Sequence, residues 1–241
     1  MADLIGQRIA GNFVYIDRAA HLRRVIDAMG PDVFKFIDDF ERSQLTGADA
    51  LLGATVTLVE AGASESTVAY ADAAGGELLI TTDSNENDGV NIQWGPEAFK
   101  LASGISMLYI GARVKISNAT ESDLFIGLSV TATDILGGVT DSIGFRKVDG
   151  STAMTALLEK NSTETTANVS TLDTSYHIYE LYYDGSTVEV FVDGVSLGSV
   201  ATTNLCDDEE MRPSVHFLAG SAAARTCSID WFRVIQIGAR A

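Results

Sequence analysis

The sequence predicts an all-β sandwich of two antiparallel sheets, with a short helical arm at its start. Three observations predict it. After residue 34, apolar and polar residues alternate with a period of two, the pattern of half-buried strands. Glycine-containing turns break that alternation at roughly regular intervals, so that a dozen or more strands follow one another. The 241 residues are 46% hydrophobic and include only three prolines, enough for one large core with no linker to divide it.

The elements follow in order. In residues 1–30, Asp17 can cap a helix whose apolar residues Leu22, Val25, Ile26 and Met29 recur at the three-and-four spacing of one face. Gly30 and Pro31 then stop it. That face needs a partner, either the sandwich or another subunit, and is the expected anchoring and oligomerisation surface. Residues 31–241 read as the sandwich. Strands are expected over 55–60, 66–72, 77–82, 90–94, 105–116, 124–131, 141–148, 154–160 and 164–170. The C-terminal third is clearest: strands over 176–183, 187–192 and 195–200 are joined by Asp184-Gly185 and Asp193-Gly194, two strong hairpin signals. Strands over 214–219 and 224–237 close the chain.

Charge narrows the partners. Sixteen basic residues face thirty-three acidic ones, a net charge of −17. Phosphate neutralisation needs Lys and Arg along the backbone of a nucleic acid, so an acidic body argues against nucleic acid and against anionic membrane surfaces. The acid is uneven: residues 1–30 hold four Arg and three Asp, while residues 31–241 hold twelve basic and thirty acidic groups. Two readings of that near-neutral head stand, a docking arm and a short helix that is neutral by chance. Cys206 and Cys227 are too few for a disulfide framework, and a bridge or two buried thiols both fit. The start Met1-Ala2-Asp3-Leu4-Ile5 lacks the pattern of a secretory leader, and no apolar run approaches eighteen residues, so neither export nor a membrane span is expected.

The run from Tyr176 to Gly185, continuing into Val190-Phe191-Val192-Asp193-Gly194, resembles the His-x-Tyr strand and Val-Asp-Gly hairpin of laminarinase-type glucanases and laminin-G-like domains. Cys227-Ser228-Ile229-Asp230-Trp231-Phe232-Arg233-Val234 and Phe36-Ile37-Asp38-Asp39-Phe40 are similar to terminal and early strands of the same fold. The resemblance implies a concanavalin A-like jelly roll. In a second respect, Asp88-Gly89-Val90-Asn91-Ile92-Gln93, Asp141-Ser142-Ile143-Gly144-Phe145-Arg146, the arm and the acidic body resemble phage head-decoration and head-fibre proteins.

Retaining glycoside hydrolysis needs two carboxylates about 5 Å apart, and the glucanase resemblance implies a Glu-x-Asp-x-x-Glu run, which is missing here. No Gly-x-Ser-x-Gly, phosphate-binding glycine loop or His-Glu-x-x-His occurs either. His21, His177 and His216 are scattered, and the latter two read as hydrogen-bonded structural residues. Asp83, Asn85, Asn87 and Asp88 form an oxygen-rich loop of the kind that holds Ca2+. A solvated turn is the other reading. Trp94, with Asn91 and Gln93 beside it, could form a sugar platform flanked by amides, and core packing is the alternative.

These readings lead to one expectation. The chain is a non-enzymatic structural protein on the outer surface of a virus particle, assembled in the host cytoplasm, without a cofactor. Its partners are the major capsid protein or another virion protein, a second copy of itself with a trimer as one arrangement, and a host-surface glycan. A lectin-like carbohydrate-binding module is the alternative, and a glucanase-like hydrolase the second.

Overall fold

A computed structural model describes residues 4–9, 12–17, 32–41, 51, 53–60, 66–71, 73–101 and 105–238. Two antiparallel sheets face each other. The first runs, in space, β12 (Thr163–Thr171), β11 (Ala153–Lys160), β10 (Ser142–Lys147), β9 (Ser122–Ser129), β16 (Arg212–Ala219), β7 (Gly89–Trp94) and β4 (Ala54–Val59). The second runs β15 (Val195–Val200), β14 (Val188–Val192), β13 (His177–Tyr183), β8 (Ile105–Ile116), β17 (Thr226–Gly238), β6 (Glu77–Thr81) and β5 (Thr67–Ala71). Strand β3 (Val33–Asp38) also pairs with β17. Placing β16 between β7 and β9 is the crossed order of a jelly roll, as expected.

Alternation decides which side chains enter the core. On β9, Leu124, Ile126 and Leu128 face the second sheet, and on β7 so do Val90, Ile92 and Trp94. They meet Ile110, Ala112 and Val114 of β8, Tyr179 and Leu181 of β13, and Phe232 and Val234 of β17. Trp94 closes one end against Phe36, Phe40 and Phe232, with ring centroids 5.4, 6.5 and 5.9 Å away. Cys206 and Cys227 are both buried free thiols, which resolves the open alternative.

The Asp-Gly hairpins form where expected, joining β13 to β14 and β14 to β15. Asp193 and Gly194 have φ of 51° and 77°, the two left-handed residues that a mirror-image two-residue turn requires. Asn161 and Ser162, at 51° and 59°, turn β11 into β12 in the same way. The first residues carry an element that the sequence reading did not name. Leu4–Ile9 (β1) and Asn12–Asp17 (β2) form a hairpin, while Leu22, Val25, Ile26 and Met29 lie outside the described residues.

Candidate functional site

The face of the seven-stranded sheet that looks away from the core carries the candidate site. Register lays its residues out in rows. One row crosses from Thr57 through Asn91, His216 and Phe125 to Arg146 and Thr155. Beside it lie Thr55, Gln93, Ser214, Gly127, Gly144 and Leu157. A third row holds Arg212, Ser129, Ser142, Glu159 and Glu164. Directly opposite residues of an antiparallel pair share a face, so each row is one line of neighbouring side chains.

A strap formed by residues 130–141 crosses this face. Its centre is a single helical turn, Ile135–Gly138 (α1), capped by Asp134, whose carboxylate accepts from the Gly137 N–H at 2.9 Å. Ile135 and Val139 pack onto Phe125 and Leu157. Asn91 Nδ2 donates to Ala132 O at 2.7 Å, and Gln93 Nε2 donates to Val130 O at 3.0 Å. The Ala132 N–H returns to Gln93 Oε1 at 3.1 Å, and the Thr131 N–H donates to Glu97. The strap therefore rests on side chain to main chain bonds and one small apolar patch.

Grooves flank the strap. On the β4 and β7 side, a groove of about 610 Å³ is lined by Thr55, Thr57, Gln93, Thr131, Thr133 and Arg212, among others. On the β11 and β12 side, a groove of about 250 Å³ is lined by Arg146, Leu157, Glu159, Ser162 and Glu164 with the α1 turn. In that second groove Glu159 stands directly opposite Glu164. Burial raises the pKa of Glu159, against the opposing effect of a 2.9 Å hydrogen bond from Ser142 Oγ. Arg146 holds Glu164 below the usual carboxylate range through bonds of 2.5 and 2.7 Å. Two neighbouring carboxyls thus have pKa values pushed apart, one kept protonated to higher pH and one ionised.

Several expected site residues land elsewhere. Trp94 cannot be a sugar platform, because the strand pleat that turns Asn91 and Gln93 outward turns Trp94 into the core, where it is buried. Asn91 and Gln93 do face the candidate site, but their amides are engaged by the strap. In the oxygen-rich loop, Asn85 Nδ2 bridges Asp83 and Asp88 at 2.8 and 3.1 Å, Asp83 also accepts from the Ser84 N–H, and the Asn87 N–H donates to Ala219 O. Its carboxylates already have donors from their own loop.

Among the described residues, one grouping of metal-type ligands appears: Asp141, Cys206 and Asp208. Burial pushes the Cys206 thiol up to about 12. His177 is structural, clasped by Asp193 at 2.8 Å and Asp173 at 3.1 Å. His216 is not the hydrogen-bonded residue expected: it is fully buried under the strap, and neither ring nitrogen has a partner.

The sequence reading missed the strap and the Glu159–Glu164 pair. The strap was hidden because 132–140 falls between two expected strands with no element assigned, although Asp134 before Gly137-Gly138 is a cap followed by a stop. The acid pair was sought along one strand, whereas it forms across a turn. Its signal was the symmetric placement of Glu159 and Glu164 about Asn161-Ser162.

No family model matches the chain, and no curated protein matches it. Solved structures do. A glycoside hydrolase family 16 protein from Bacteroides ovatus aligns with TM-score 0.58 and 15% identity over 83% of this chain and 99% of its own. A β-1,3-glucanase from Mycobacterium marinum aligns with TM-score 0.55 and 17% identity, over 83% and 97%. The Emp46p carbohydrate recognition domain aligns with TM-score 0.53 and 10% identity, over 81% and 93%. The chain has the fold of these jelly rolls.

Two expectations are corrected here. The likenesses lead to glucan hydrolases and a carbohydrate recognition domain, so the virion decoration or head-fibre reading loses its footing. The exclusion of catalysis also falls. The sandwich is shared with glucanases, and two carboxyls, Glu159 and Glu164, do stand opposite each other across β11 and β12.

Proposed function

We propose that this chain binds neutral β-linked glucans on the strap-bearing face of the seven-stranded sheet. The observation that carries the proposal is the larger groove beside the strap. It is within the size range of small-ligand sites, and its lining of Thr55, Thr57, Gln93, Thr131, Thr133 and Arg212 is rich in uncharged donors and acceptors. Sugar hydroxyls both donate and accept, so they match this mostly uncharged lining, with Arg212 as a charged donor and Asp134 as a charged acceptor. The glucan class is taken from the glucanases that share the fold. Calorimetric titration with β-1,3 and mixed-linkage β-1,3/1,4 glucan tetrasaccharides tests it. Saturable binding, weakened about tenfold or more by Arg212→Ala, a loss of about 1.4 kcal/mol, is expected. No saturation with either tetrasaccharide up to about 1 mM, a threshold near −4 kcal/mol, overturns it.

A second reading, hydrolysis of a glucan seated in the smaller groove on the β11 and β12 side, is favoured by the Glu159–Glu164 pair. Cross-strand Cβ atoms lie roughly 4.5–5.5 Å apart, compatible with the short carboxyl separation of retaining hydrolysis. Glu159 would protonate the leaving glycosidic oxygen as Glu164 attacks the anomeric carbon, and water, deprotonated by Glu159, would then hydrolyse the glycosyl-Glu164 ester. Release of reducing ends by the native protein and its loss in Glu159→Gln support this reading. Absence of release at saturating glucan removes it.

A further inference from the structure

Buried polar groups in native proteins nearly always have partners, and each exception calls for a reason. Three such atoms sit together beneath the strap: His216 Nδ1, His216 Nε2 and Asn91 Oδ1. His216 and Asn91 are direct neighbours across β16 and β7, and Phe125 is the next residue of that row on β9. All three are essentially inaccessible. The charged group that faces the imidazole is Asp134 from the strap, with Oδ1 3.5 Å from Nε2, beyond a normal hydrogen bond. Asn91 faces it from β7 and Phe125 from β9, and neither carries charge.

The strap thus shuts in a polar floor that it satisfies only in part. We infer that residues 130–141 are a displaceable cover over a second sugar subsite, whose floor is Phe125, His216, Asn91 and Gln93. This inference rests on the glucan reading above. The floor has the parts that an uncharged hexopyranose uses: an aromatic ring for its apolar face, flanked by an imidazole and two amides for its hydroxyls. A hydroxyl can replace what the strap now supplies, accepting from Asn91 Nδ2 in place of Ala132 O and bonding Gln93 in place of the Val130 and Ala132 main chain. It can also satisfy the imidazole, which the strap does not. A glucan chain lying in the groove beside the strap would then extend one unit under it. The cover is held by contacts that can be exchanged: those amide bonds, the Glu97 bond to Thr131, and the seating of Ile135 and Val139 on Phe125 and Leu157.

The cover reduces apparent affinity by the fraction of molecules in which it is lifted, so loosening it tightens binding. The test compares the native chain with Ile135→Ala, which trims the apolar seat, and with Asp134→Ala, which removes the cap of α1. Each is titrated with the β-1,3 and the mixed-linkage tetrasaccharides, and the His216 ring is followed by NMR across pH without ligand. Expected are binding tightened about tenfold or more and a ring titration moved toward that of an exposed histidine, near 6.5. A ring that shifts while tetrasaccharide affinity stays unchanged overturns the subsite. A ring and an affinity that both stay unchanged in both variants overturn the displaceable cover. A ring that shifts in variants that bind neither tetrasaccharide overturns the glucan reading on which the subsite rests.

Discussion

The two faces of the seven-stranded sheet are equally buried along its central strands and built on opposite terms. Toward the core, β7, β16 and β9 present Val90, Ile92, Trp94, Val215, Phe217, Leu124, Ile126 and Leu128 to a second sheet of matching apolar side chains. Toward the strap, the same strands present Asn91, Gln93, Ser214, His216, Ser129 and Phe125. On the first face, burial comes from close packing that is complete in itself. On the second, it comes from a loop that leaves an imidazole and an amide oxygen without partners. Burial alone therefore does not identify a core. The unpartnered polar atoms of the second face cost stability, and that cost is the ground on which the sugar-subsite proposal stands.

The sharpest way to break the comparison is to cut each face and measure stability. Trp94→Ala opens the packed face at its aromatic end and should cost about 3–5 kcal/mol in urea unfolding. A cost under about 1 kcal/mol would show that this face too is loosely covered.

Acid should expose the second face next. Burial under the strap depresses the His216 pKa to about 4. The unfolded chain takes up this proton near pH 6.5 and the folded chain does not until about 4, so stability is present above 6.5 and falls as pH drops through that window. The slope from this group is at most about 1.4 kcal/mol per pH unit. His216→Leu should remove that part of the slope. His177 acts in the other window: the Asp193 carboxylate raises its pKa, so its contribution is full below 6.5 and is lost as pH rises through the folded value.

A smaller effect follows at neutral pH. His216→Leu exchanges an unpartnered polar ring for an apolar side chain, and should be neutral or stabilising by up to about 1 kcal/mol. Marked destabilisation at pH 7 would mean that the imidazole is well satisfied and the contrast between the faces is wrong. The smallest effect belongs to the Arg146–Glu164 pair, whose carboxylate side chain is 39% exposed. A double-mutant cycle should give a coupling under about 1 kcal/mol. Its value to the protein then lies in holding Glu164 ionised opposite Glu159.

Much of the fold was legible because alternation and turn chemistry are local. Ser122–Ser129 reads as a strand from its own residues, and Asp193-Gly194 dictates its hairpin through the left-handed backbone that these two residues tolerate. Asn91 and Gln93 were legible as outward-facing polar residues by the same period of two, and that period should have sent Trp94 inward with Ile92. The candidate site was far less legible. Thr57, Asn91, His216, Phe125 and Arg146 form one row, yet they are spread along the chain from residue 57 to residue 216.

The sequence by itself determined most of the strands and turns and the acidic body. Tertiary structure alone decided that Glu159 meets Glu164, that β16 enters between β7 and β9, and that residues 130–141 fold back over His216. The reason is physical. Strand pleat and turn geometry are set by neighbours in sequence, whereas strand order and loop placement are set by which distant apolar faces can be buried together.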